Sequence, residues 1–144
     1  MSLKKNENNH YFVMFFIMVL SGLLSTMNMW VNKLEDVRLS INDVYMVLLM
    51  TGWMFLFMGL YYRNLKVLIV GVLLTGTSIA CIRSQFLISE EQFKRSMIPH
   101  HSMAIHMSKK LLTSADGAHL GHNFISFLKT LITTQEKEII YMKI

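Results

Sequence analysis

The chain has 144 residues, 53% of them hydrophobic, with a mean hydropathy of +0.40 and a net charge of +5 from 14 Lys and Arg against 9 Asp and Glu. That is too apolar for an ordinary soluble domain. The basic residues lie at the edges of apolar runs and along one polar segment, not in an interleaved basic-aromatic surface, so no nucleic-acid partner is expected, and the single cysteine, Cys81, excludes a disulfide framework or paired-cysteine metal knuckle.

Residues 1–10, "MSLKKNENNH", read as a polar tail. The first apolar run, "YFVMFFIMVLSGLLSTMNMW" from Tyr11 to Trp30, carries no charge and is long enough to cross a hydrocarbon core of roughly 30 Å. A signal peptide also follows a basic stretch, but this run is long and lacks a small-x-small cleavage pattern, so it reads as a retained span. "VNKLEDVRLSIND" then suits a strip along the membrane surface. The second span is "VYMVLLMTGWMFLFMGLYY", Val44 to Tyr62, and the third runs from Val67 to Ile82 between Lys66 and Arg83. Only "RNLK" separates the last two, which predicts a tight helical hairpin.

Gly71/Thr75, Gly76/Ala80 and Ser21/Ser25 have the small-xxx-small spacing that lets helices approach closely. Met46, Met50, Met54 and Met58 recur at i+4. Such a row suits a soft-sulfur path for Cu(I), but it is also what any helical packing ridge looks like, and packing is the preferred reading. Three crossings put the N-terminus and the 63–66 turn on one side, and the 31–43 loop and the C-terminal segment on the other. Lys4, Lys5, Arg63 and Lys66 nearly balance Lys33, Arg38, Arg83, Lys94 and Arg95, so charge does not choose the orientation.

The domain division is therefore a tail (1–10), a three-helix transmembrane domain (11–84) and a Met/His-rich helical hairpin (85–144). "SEEQ", Ser89 to Gln92, has capping-box spacing and predicts a helix running to about Leu112. Its expected face is Phe93, Met97, His101, Ala104, Ile105, Ser108, Leu111 and Leu112. Pro99 removes one donor inside it and bends the axis. Asp116-Gly117 centres a turn. A second helix from about His119 to Lys143 carries the stripe Leu120, Phe124, Phe127, Leu128, Leu131, Gln135, Glu138, Ile139 and Met142. Antiparallel pairing brings Met142 to the Met97–His101 region.

"SMIPHHSMAIHMSKK" surrounds the only proline with soft donors. Met97 with His100 and His101, and Met103 with Met107, stand at i+3 or i+4. Thioether and neutral imidazole suit Cu(I) and Ag(I), and Met97, one or both of His100 and His101, and Met142 make a three- or four-ligand set. Gln135 and Glu138 interrupt the apolar stripe and are placed to hold a ring N–H of His100 or His101. A competing zinc set uses His100, His101 and Glu138. His106 faces outward, and His119 and His122 read as solvated. No nucleophile–base arrangement, phosphate loop or cofactor fingerprint is present, so no catalysis is expected.

"MIPHHSMAIHM" followed by "TTQEKEIIYM" resembles the signature of the domain-of-unknown-function 305 family, over about residues 85 to 143. The three preceding spans resemble a membrane-anchored bacterial branch of it. The resemblance implies a helical-bundle domain, often doubled or dimeric, associated with copper or silver binding and resistance in the periplasm. Met97, His100, His101, Met103, Met107, Gln135, Glu138 and Met142 occupy the motif positions, whereas His106, His119 and His122 lie outside them. One hairpin is half of a four-helix bundle, so the bundle is expected to be completed by oligomerisation.

The expectation is an all-α protein of the bacterial inner membrane, with three transmembrane helices in contact with membrane lipids. Its N-terminus is cytoplasmic and its antiparallel hairpin periplasmic. It binds Cu(I) or Ag(I) for buffering, handover or resistance, as a homo-oligomer or in a larger membrane complex. The alternative is an interaction or assembly subunit that binds no metal.

Overall fold

The computed structural model describes residues 2–114 and 119–144, with side chains from residue 10 onward. The described residues are helical throughout their regular structure, in five α-helices: α1 (Ser2–Leu24), α2 (Ile41–Tyr61), α3 (Leu65–Ser84), α4 (Glu90–Thr113) and α5 (His122–Met142). Short 3-10 turns occupy Met27–Trp30 and Leu34–Asp36. The expected turn at Asp116-Gly117 lies outside the described residues. The chain forms two compact units, one of residues 1–26 and 41–88, the other of residues 27–40 and 89–144.

Three segments, His10–Trp30, Ile41–Tyr61 and Leu65–Ser84, are long and apolar enough to cross a membrane, and all but residues 27–30 of them belong to the first unit. Two local details differ from the sequence reading. The polar stretch expected as a tail is helical from Ser2, and α1 stops at Leu24, six residues short of Trp30. Ser25, Thr26 and Asn28 follow that stop, and such side chains compete for backbone hydrogen bonds.

The expected hairpin of the second and third spans is present. Asn64 caps α3, its side chain accepting from the backbone N–H of Lys66 at 3.2 Å and of Val67 at 3.4 Å. α2 and α3 meet along glycines: a Cβ on Gly59 would lie 2.5 Å from the Leu68 nitrogen, one on Gly52 2.6 Å from Thr75 Oγ1, and one on Gly71 against the Leu56 nitrogen. Gly71 and Thr75 are both buried on this seam, as their spacing predicts. Gly76/Ala80 and Ser21/Ser25 point outward instead, and it is Gly22 that receives Val47. Spacing alone does not say which of several small rows is used.

In the second unit, α4 and α5 pack around Ile98, Ile105 and Ile139, with Ile132 and Met142 against them. Burying each of three isoleucines contributes roughly 1.5–3 kcal/mol. The Ser89 hydroxyl accepts from the Gln92 N–H at 3.4 Å, as the capping box predicts. Glu90 and Glu91 sit in the first turn of α4, where carboxylates favour the positive helix end, and pair with Lys94 and Arg95 at 2.9 Å. Pro99 is fully buried inside a helix that remains continuous from Glu90 to Thr113.

The buried face of α4 shares Ile105 and Ser108 with the expected one but is turned from it. Ile98, Pro99, Ser102, Ile105 and Ser108 are buried, while Phe93 is 52% exposed. The reason is the segment 27–40, which joins this unit and packs on α4, so that α4 is covered from two sides. The sequence suggests a surface strip there, and periodicity registers only one covered side.

Candidate functional site

The motif residues divide between two faces of α4. On the seam with α5, His101 is half-buried, and its Nδ1 lies 3.1 Å from Glu138 Oε2. The ring N–H does not point at the carboxylate, so the contact is electrostatic and leaves the tautomer unfixed. Burial, the largest influence, holds the His101 pKa below the usual imidazole value. Glu138 opposes this and the charge of His100 adds to it. His101 is thereby kept neutral at physiological pH, the form in which imidazole ligates metals.

Met142 packs on the Ile98 cluster, one residue from Met97 in the α4 sequence, and Met97 is itself half-buried. Opposite running of the two helices thus delivers the terminal thioether to the start of the motif. Beside Met142 a cleft of 510 Å³ opens to solvent, lined among others by Glu91, Arg95, Ile98 and Lys143. Gln135 Oε1 is buried on the same seam with no hydrogen-bond donor. It does not reach the His101 ring nitrogen as a partner, whereas Glu138 does approach it.

His100 and Met107 lie on the exposed face, and Met103 is half-buried. The His100 and His101 rings are 6.0 Å apart and tilted by 60°. Met107 is ten residues beyond Met97, or ~15 Å along the helix axis, too far to share one ion with it. The eight motif residues are therefore not one site: His101 and Met142 lie on the seam with Gln135 and Glu138, Met97 is half-buried one residue before Ile98, and His100 and Met107 are exposed.

Among the described residues, no three His, Cys, Asp or Glu side chains come together. The zinc set of His100, His101 and Glu138 is thus not formed, because consecutive helical residues point about 100° apart and only His101 turns toward α5. His119 and His122 are both exposed. What the seam offers is thioether and neutral imidazole with a carboxylate at its edge. That donor chemistry fits a soft monovalent ion better than Zn²⁺.

A polar network not foreseen from the sequence braces this seam. Asp36, 3% exposed, accepts from Ser102 Oγ at 2.6 Å and pairs with Lys143 Nζ at 2.6 Å, while the Asn32 N–H donates to Ser102 Oγ at 2.9 Å. The hydrogen bond to Asp36 is the main reason that the Lys143 pKa is raised. Lys143 follows Met142 and Ser102 follows His101, so the 27–40 segment holds residues adjacent to two candidate ligands. Asp36 lies in a short polar linker with no periodicity, and no local signal in that linker reveals it.

These features define a helical protein with three membrane-length helices and a separate two-helix unit carrying a Met/His seam. The family model "Domain of unknown function (DUF305)" matches residues 79–144. An uncharacterized protein of Acanthamoeba polyphaga mimivirus is 41% identical over 111 residues, covering 72% of this chain and 71% of the relative. That similarity takes in more of the chain than residues 79–144 contain, so it extends into the membrane-length helices. The chain belongs to the DUF305 family. No solved structure matches it.

Proposed function

We propose that this protein is a membrane-anchored Cu(I)- or Ag(I)-binding protein that buffers the ion or hands it on, and that it acts by binding, not catalysis. Met97, His101 and Met142 would hold the ion, with Glu138 steering the His101 ring and Gln135 lying behind it. The observation that carries this reading is the seam itself, where a half-buried imidazole kept neutral by burial lies on the same helical interface as the Met142 thioether. The bound ion supplies no reaction, only a soft acceptor for sulfur and nitrogen. The reading places the unit of residues 27–40 and 89–144 in the periplasm of a bacterial inner membrane, with the N-terminus cytoplasmic and lipids around the three helices. Support for that location is the family resemblance, and the mimivirus relative is not bacterial.

A second reading has its own support. Phe124 and Phe127 stack at 5.9 Å while 44% and 56% exposed, and Phe93 and Tyr141 are exposed as well. Such aromatic side chains suit an interface with a second copy or a larger membrane complex, and an assembly subunit would need no metal.

An anaerobic Cu(I) competition titration of the full-length protein, against the double variant Met97→Leu/His101→Ala, tests the proposal. Loss of ligands is expected to weaken binding by roughly tenfold or more. Equal, weak binding by both proteins would favour the assembly subunit.

A further inference from the structure

Within the first unit, a groove of 440 Å³ is lined by Tyr11, Phe12 and Phe15 of α1, Phe55 of α2, and Val70 of α3, with Lys66 among its walls. Its size falls within the roughly 300–1,000 Å³ of ligand pockets. Lys66 belongs to the first turn of α3, next to the 62–64 turn that also carries Arg63. The described side chains of this unit include one carboxylate, Asp43, at the start of α2. The turn follows the other end of that 21-residue helix, ~30 Å away. Among the described side chains, the Lys66 ammonium at the edge of a membrane-length helix and beside an aromatic groove has no carboxylate near it, an arrangement suited to an anionic group at a membrane interface.

The walls also say what does not fit. Helices in membranes approach one another through small residues, and none lines this groove. The exposed small rows of this unit, Gly76/Ala80 on α3 and Ser21/Ser25 at the end of α1, are not among its walls. A flexible chain fills an irregular aromatic groove better than a helix does.

We infer that the groove is a binding site for an anionic phospholipid, one acyl chain lying against Tyr11, Phe12, Phe15 and Phe55 and the headgroup phosphate paired with Lys66. Tyr11 then stands at the headgroup level, as aromatic residues do at membrane interfaces. The site is independent of the soft-metal reading.

Native mass spectrometry of the full-length protein in mild detergent tests it, with equimolar phosphatidylglycerol and phosphatidylcholine of matched acyl chains. Phosphatidylglycerol adducts should exceed phosphatidylcholine adducts about fivefold, the ratio equivalent to the ~1 kcal/mol that one cation contributes near an anionic surface. Lys66→Gln should bring the ratio to about one, while Arg83→Gln, near the other end of α3, should leave it unchanged. Val70→Trp should fill the groove and reduce both adducts, and Leu74→Phe, at another wall of the groove one turn further along α3, serves the same purpose should the tryptophan variant lose helix content by circular dichroism. Equal adducts in the wild type, an unchanged ratio in Lys66→Gln, or full adducts in the filled variant would overturn the site. Displacement of the lipid by excess inorganic phosphate would assign the contact to free phosphate instead. Displacement by dimer formation would assign the groove to a second copy.

Discussion

The α2–α3 and α4–α5 pairs are both helix pairs joined in chain order, yet they are held together by opposite means. α2 and α3 touch backbone to backbone through Gly52, Gly59 and Gly71. α4 and α5 are spaced by isoleucines and braced by a buried carboxylate from a third segment. The difference matches composition, apolar and of membrane length in the first pair and amphipathic in the second. In lipid, burying an apolar side chain against another gains little over burying it in acyl chains, so close packing of small residues is what remains. In water, removing isoleucine from solvent is the main gain, and a buried charge is tolerable only when paired.

The largest expected effect is on the α4–α5 pair. Ile105→Ala removes the most buried member of its cluster, 2% exposed, and should lower the unfolding free energy of that unit by about 2–5 kcal/mol. Hydrogen exchange read by mass spectrometry on the full-length protein should show faster exchange over α4 and α5 with α2 and α3 unchanged. Equal acceleration in both pairs would erase the contrast.

Smaller, and of the same sign in each pair, are one glycine and one carboxylate change. Gly71→Ala puts a Cβ 2.7 Å from the Leu56 Cα and should destabilise the α2–α3 pair by about 1–3 kcal/mol. Gly76 has open space around it, and Gly76→Ala should be neutral or stabilising by up to about 1 kcal/mol. Thermal melting of the two variants in detergent compares them directly, and equal melting temperatures would mean that the close approach at Gly71 carries no energy. Asp36→Ala leaves the Ser102 hydroxyl and Lys143 ammonium without their acceptor, and with Lys143 28% exposed the cost should be about 1–3 kcal/mol, below that of a fully buried pair. Exchange should quicken around residues 27–40 and 98–105. Protection unchanged there would show that the brace is dispensable.

The smallest effect is a pH dependence confined to the α4–α5 pair. The His101 pKa is lowered in the folded protein, chiefly by burial, so the unfolded chain binds the proton more readily. Stability is therefore full above the ordinary imidazole value of 6.5 and lost progressively as pH falls below it. Melting curves of wild type and His101→Gln between about pH 7.5 and about pH 5 should diverge at neutral pH and converge at low pH. Parallel curves would remove His101 from the account.

Much of the helical architecture was legible because its causes are local. Charge-free runs mark the membrane-length helices, Ser89 and Gln92 mark the start of α4, and the four residues "RNLK" mark the tight connection of α2 to α3. The candidate site was legible only in part. The proximity of Met142 to the beginning of the motif follows from antiparallel pairing, and the contact of His101 with Glu138 from a shared stripe. That His100 and Met107 turn away, and that Phe124 and Phe127 stay exposed on the same predicted stripe, depends on how much of each helix its neighbours cover. A hydrophobic period gives a direction but not the width of what lies across from it.

Residue chemistry and spacing by themselves determined that this is a helical member of its family with three helices long and apolar enough to cross a membrane and with sulfur and imidazole groups on one helix, because hydrophobic length, capping and helical period act over a few neighbouring residues. Only the tertiary structure decided that residues 27–40 belong with the hairpin, that Asp36 is buried against Ser102 and Lys143, and which small residues touch. Those contacts join residues up to 108 positions apart, as Lys143 and Glu35 are, and such pairings are chosen by the competition among all surfaces for burial, which no local window of the chain contains.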